Sequence, residues 1–118
     1  MRKVLLYISG KLTEGDISPS LDNIEYAKTI FEKYLELGFS VFCPHLNCSF
    51  RTSLSYNDWL EMDLEVLSRC DGIVMLSNWM HSRGAILELK YAIENNISLF
   101  FDEDNPSVND IINKIKGE

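Results

Sequence analysis

Short apolar runs alternate along this chain with segments whose apolar positions recur every three or four residues. Residues 4–8 predict a buried strand that Ser9 and Gly10 end. After a polar loop, Ser18, Pro19 and Ser20, with a capping-box pattern at Asp22 and Glu25, predict a helix start. Ile24, Ala27, Phe31, Tyr34 and Leu35 then repeat at helical spacing as far as Gly38, a typical stop. Residues 39–43 predict a second strand closed by Pro44, residues 45–55 a loop, and residues 55–69 a second helix. A third strand at 72–76, a third helix at 82–95 and a fourth strand at 97–101 follow. Residues 102–106 then turn into a last amphipathic helix carrying Ile111, Ile112 and Ile115.

Strands alternating with helices across short connections imply a parallel sheet covered on both faces. The expected architecture is a single-domain three-layer α/β/α sandwich over residues 1–118, flavodoxin- or Rossmann-like, with strand order 2-1-3-4. Its topological switch lies between the first and third strands, where ligands bind outside the carboxyl ends. The loops at 7–13 and 77–84 meet there.

Two carboxylates disturb the amphipathic pattern near that switch. On the third helix, Glu88 projects beside Gly84, Ala85 and Ala92, at the edge of the face carrying Leu89 and Ile93. Three and four positions on stand Tyr91 and Ala92, so no local cation supports it. Such a Glu is either a working group whose pKa burial raises, or a rim residue whose head reaches water. On the second helix, Asp58, Glu61, Glu65, Ser68 and Arg69 share one polar arc, whereas Asp63 falls among Trp59, Leu60, Val66 and Leu67. Two inward carboxylates flanking one loop suggest a pair for acid and nucleophile work. The plainer reading of Asp63 is a cap for neighbouring backbone N–H groups.

Composition narrows the partner classes. The 118 residues are 46% hydrophobic and 25% charged, which suits a globular domain with its own core. A net charge of −7 and the lack of a basic stripe argue against a nucleic-acid polymer, although a few donors suffice for a mononucleotide. The first residues hold an apolar run too short for a signal peptide, and no run reaches membrane-spanning length. Cys43, Cys48 and Cys70 lack CxxC spacing, so reduced thiols in a cytoplasm are expected, with Cys43 and Cys70 as core fillers. His45 and His81 show no ligand pattern and read as loop polar groups. Asp71, just before the third strand and opposite the switch end, reads as a loop cap.

Several motifs in order carry a resemblance. They are Tyr-Ile-Ser-Gly at 7–10, Asn23, Gly-Phe-Ser-Val-Phe-Cys-Pro at 38–44, Trp59 with Asp63, and Cys-Asp-Gly-Ile-Val-Met-Leu at 70–76. Trp79, Ser82, Gly84, Ala85 and Glu88 complete the set. Together, over roughly residues 4–101, they resemble the nucleoside 2-deoxyribosyltransferase-like superfamily, chiefly its small bacterial and phage members, relatives of 2′-deoxynucleoside 5′-monophosphate N-glycosidases. The resemblance implies that Glu88 is the nucleophile at the anomeric carbon of an N-glycoside. It also implies that Asp63 assists protonation of the leaving base, and that Tyr7 orients Glu88 by a hydrogen bond. No cofactor or metal is implied.

Relatives acting on free nucleosides carry an acid six residues before the nucleophile, and those hydrolysing 5′-monophosphates carry Ser, as here at Ser82. Ser82, backbone N–H groups around Arg83, Gly84 and Ala85, and a positive helix end suit a phosphate, although Ser is also an ordinary N-cap. Ser9, Gly10 and Lys11 complete the expected substrate-binding set, and Trp79 is expected to line the pocket, whereas Trp59 reads as core. The chain departs from its relatives in the first loop, where Gly10-Lys11 replaces Gly-Pro and Lys11 is the nearby cation. It is also shorter than the characterised transferases. Two other functions stay open: NAD glycohydrolysis, since toll-interleukin receptor-like domains share a comparable sheet and helical Glu, and a nucleotide-binding module without catalysis. A homodimer or larger homo-oligomer is expected.

Overall fold

In the computed structural model, which describes residues 3–14, 18–47 and 55–117, the first strand, β1 (Leu5–Ser9), is buried from Leu6 onward. That burial is what a strand covered on both faces requires. Two strands of two residues each pair antiparallel next, β2 (Thr13–Glu14) with β3 (Ser18–Pro19), where the sequence pattern predicts a polar loop and then, at Ser18 and Pro19, a helix start. Strands this short carry no alternation to read. The next elements are α1 (Leu21–Glu36), β4 (Ser40–Phe42), a 3-10 turn at Pro44–Asn47 and α2 (Tyr56–Leu67). Then come β5 (Gly72–Met75), a 3-10 turn at Trp79–His81, α3 (Arg83–Glu94), β6 (Ser98–Phe101) and α4 (Val108–Ile115). The part of the predicted 45–55 loop at residues 48–54, including Cys48, lies outside the described residues.

The four main strands run parallel in the order β4-β1-β5-β6, which is the expected 2-1-3-4. Alternation along β1 then divides the core. Leu6 and Ile8 face α1 and α4 with Val74, Leu76, Phe100, Ala27, Ile30, Tyr34 and Ile111. Tyr7 faces α2 and α3 with Ile73, Met75, Leu67, Ala85 and Ala92. Each large apolar side chain buried in this way contributes about 1.5–3 kcal/mol. At the strand starts, Asp71 accepts from Leu5 N–H at 2.8 Å and donates its own N–H to Leu5, closing β1 against β5.

Helix starts follow their caps. Ser55 and Asp58 form a reciprocal capping box on α2, and Ser82 accepts from Ala85 N–H at 3.1 Å on α3. At α1 the cap is Ser20, accepting from Asn23 N–H at 3.3 Å, and the Asp22–Glu25 box is not used. The helix begins one residue before Asp22, which therefore sits in the first turn, where its charge suits the helix dipole. Gly38, with φ of 103°, ends α1 in a conformation that suits glycine. Lys33 and Tyr34 both donate to Asp102, at 3.0 and 2.8 Å, tying α1 to the end of β6.

Two side chains expected on inward faces point out. Leu35 is 41% exposed, because Ala27, Ile30 and Tyr34 make the inward stripe of α1. Ile93 is 60% exposed, because α3 lies on the sheet through Ala85, Glu88 and Ala92. Among the described residues, no helix is long and apolar enough to cross a membrane.

Candidate active site

The alternation that buries Tyr7 on the α3 side puts Ser9, two residues on, on the same side of β1. Both side chains are fully buried. Glu88 comes down from α3 between Ala85 and Ala92, whose small side chains let the helix approach closely, and only 6% of it is exposed. Tyr7 Oη donates to Glu88 Oε2 at 2.5 Å, and Ser9 Oγ donates to Glu88 Oε1 at 2.6 Å. Each carboxylate oxygen thus receives one hydroxyl from a single strand.

Burial dominates the electrostatics of this cluster. It pushes Glu88 up to about 7, against the two hydroxyl hydrogen bonds, which favour the ionised form, while nearby Asp63 adds a further upward push. Burial, with Glu88 next in weight, also raises Tyr7 well above its ordinary value, so the phenol stays a neutral donor. Asp63 projects from α2 into the same region. It is half-buried, has no hydrogen-bond partner among the described residues, and is pushed up to about 6 by desolvation. Two carboxyl groups that change charge near neutral pH in one partly desolvated place can serve as nucleophile and proton donor.

The loops around this cluster are fastened to one another. A Cβ on Gly10 would lie 2.6 Å from Leu76 Cδ1 and 2.9 Å from Asn78 Oδ1, so the chain after β1 lies directly on the chain after β5. Lys11 N–H donates to Asn78 Oδ1 at 2.9 Å. Ser82 Oγ serves as the cap of α3, with Arg83 exposed and Ala85 buried beside it at the helix start. Trp79 is half-buried and packs against Phe101, with ring centroids 6.0 Å apart.

Glu88, Asp63, Tyr7 and Ser9 therefore converge, while Gly10, Lys11, Ser82, Arg83, Gly84 and Ala85 form the adjoining loop and helix start. Ser9, expected among the substrate contacts, has its hydroxyl on Glu88; the i, i+2 rule could have placed it there. Asn78 and His45 were missed as supports of the first loop, and their contacts span 67 and 34 residues of sequence. Among the described residues, no three His, Cys, Asp or Glu side chains gather as a metal site. An open groove between α1 and α4, lined by Lys33, Leu37, Pro106 and Val108, includes none of these groups.

Residues 4–101 match the model of a family described as Domain of unknown function (DUF4406). No curated protein matches the sequence significantly. Similar solved structures include a conserved protein from Enterococcus faecalis V583, with a TM-score of 0.69 and 18% identity. That match covers 85% of this chain, which spans only 63% of the Enterococcus protein. Another is a 2-deoxyribosyltransferase from the psychrotolerant bacterium Bacillus psychrosaccharolyticus, with a TM-score of 0.59 and 17% identity over 83% of this chain and 71% of that one. At such identities the likeness is one of fold. The chain belongs to the DUF4406 family, and its fold is similar to that of a 2-deoxyribosyltransferase.

Proposed function

We propose that this chain, acting as one domain, cleaves the N-glycosidic bond of a nucleoside 5′-monophosphate or nucleoside, ribo or deoxyribo, through a glycosyl ester on Glu88. The observation that carries the reading is the buried Glu88 carboxylate with a hydroxyl on each oxygen. A carboxylate so desolvated is a stronger nucleophile than one in water, and the hydroxyls hold it in one orientation. Its attack on the anomeric carbon forms a C–O bond as the C–N bond breaks, and the bond electrons leave with the base, which takes a proton from Asp63. Water or a second base, giving a proton to Asp63, then attacks the same carbon and releases Glu88. Two displacements retain the anomeric configuration.

Ser82, Arg83 and the Gly84 N–H receive a 5′-phosphate at the start of α3, beside Ala85, whose N–H caps onto Ser82, with Lys11 and the Ser9-Gly10 turn opposite. Trp79 offers its half-buried face to the base. This chemistry asks only for carboxyl and hydroxyl groups, so the reading includes no cofactor. Exposed Met80, Ile86 and Ile93 support a homo-oligomer, and the buried, reduced thiols of Cys43 and Cys70 support a cytoplasmic setting.

The test is release of free base from ribo- and deoxyribonucleosides, their 5′-monophosphates and NAD, with and without an acceptor base. Release by the natural chain and not by Glu88→Ala supports the reading and names the substrate class. Release from NAD alone supports the glycohydrolase alternative. Saturable nucleotide binding with no release from any compound refutes catalysis and leaves a binding module.

A further inference from the structure

Lys11 is held through its backbone from two directions. Its N–H donates to Asn78 Oδ1 at 2.9 Å, from the loop after β5, and its carbonyl faces His45 Nε2 at 3.0 Å, from the turn after β4. A carbonyl only accepts, so Nε2 carries the proton and donates. The other ring nitrogen, Nδ1, then accepts from the Cys43 thiol across 3.6 Å. The surroundings maintain that arrangement: burial lowers the His45 pKa, keeping the ring neutral, and pushes Cys43 up to about 11, keeping its proton, with Glu88 adding to the latter. His45 is itself 3% exposed. The carboxyl ends of β1, β4 and β5 are thus joined at one residue, two positions after the Ser9 that holds Glu88.

We propose that His45 and Asn78 are positioning residues for substrate capture: by clamping the Lys11 peptide they hold the 10–12 segment in the shape that receives the sugar-phosphate end of the substrate. This rests on the proposed glycosidic cleavage. Neither side chain bonds to Glu88 or Asp63, so the clamp acts on binding and leaves the bond-breaking step to the carboxyl pair.

The experiment compares His45→Phe, His45→Gln and Asn78→Ala with the natural chain, using the best substrate from the base-release panel. Losing one neutral hydrogen bond of the clamp raises KM by about fivefold to tenfold, with kcat changed less than about threefold. His45→Gln, whose amide N–H can replace Nε2–H, restores KM towards the natural value. Amide hydrogen exchange over residues 10–13 provides a readout that needs no turnover: it accelerates in His45→Phe and Asn78→Ala and is slowed again in His45→Gln. Unchanged exchange overturns the clamp, as does a loss confined to kcat or a Gln variant no better than Phe. Absence of base release by the natural chain refutes the catalytic reading alone, because exchange and nucleotide affinity still report on the clamp.

Discussion

Replacing Glu88 by Gln removes an ionisable group from a place where ionisation is costly, so the fold should become more stable at alkaline pH. Glu88 titrates near 7 in the fold against 4.5 in an unconstrained chain. Between those values the folded chain keeps a proton that the unfolded chain has released. Stability therefore falls as pH rises through this window, and the penalty is complete above it. The width of the window corresponds to about 3 kcal/mol at pH 8. Gln offers only one acceptor to Tyr7 and Ser9, and the lost bond returns about 1 kcal/mol of that gain. The expected net effect is about 2 kcal/mol of stabilisation at pH 8, equivalent to a rise in Tm of about 8 °C. Thermal unfolding of both proteins from pH 4 to 9 measures it. Below pH 4.5 the gain should vanish, since Glu88 is protonated in both states. Equal melting temperatures at pH 8, or parallel stability curves across the range, would refute the argument that burial destabilises the charged form.

Base release should follow a bell-shaped pH profile with its maximum between about 6 and 7, because it needs Glu88 ionised and a proton on the Asp63–Glu88 pair. A profile still rising at pH 9 would dismiss Asp63 as the acid. Asp63→Asn should lower kcat/KM by about 10²-fold to 10⁴-fold on natural bases, and by much less on a substrate whose leaving group needs no proton. Tyr7→Phe removes one donor from the Glu88 carboxylate, the higher-titrating member of the pair, and should move the alkaline limb of the profile up by about one pH unit while lowering its maximum, read from initial rates. Gly10→Ala should cost about 1–3 kcal/mol in chemical unfolding, since its Cβ would meet Leu76 and Asn78 at under 3 Å. Ser82→Asp should disfavour 5′-monophosphates against free nucleosides by tenfold or more in competition assays, through repulsion between like charges.

The sheet order and layering are legible in the chain because each main strand is a short apolar run and each helix has a face that must be covered. Glu88 and Asp63 stand out for a related reason: each breaks an apolar arc, and a carboxylate without a local cation is conspicuous there. The partners of Glu88 are only half legible. Tyr7 and Ser9 share a face by strand alternation, but which helix residue meets that face depends on how α3 lies across the sheet. His45 and Asn78 carry no local signal, since one bonds to a carbonyl and the other to an N–H that every residue possesses. Leu35 and Ile93 were misplaced because a periodic pattern marks a broad stripe, while packing selects the narrower line that touches the sheet.

The two hydroxyls on Glu88 also bear on the second half of the proposed cycle. Once an ester has formed, the carboxylate becomes the leaving group, and its departure is as demanding as its attack. Tyr7 and Ser9 stand where negative charge reappears as that ester breaks, so one pair of donors serves both directions of bond exchange. Ser9→Ala should therefore slow ester breakdown as well as its formation. A glycosyl-protein adduct, 116 or 132 mass units heavier than the free chain before any phosphate is counted, for deoxyribosyl and ribosyl groups respectively (about these values, from the atoms transferred), should then become detectable by mass spectrometry.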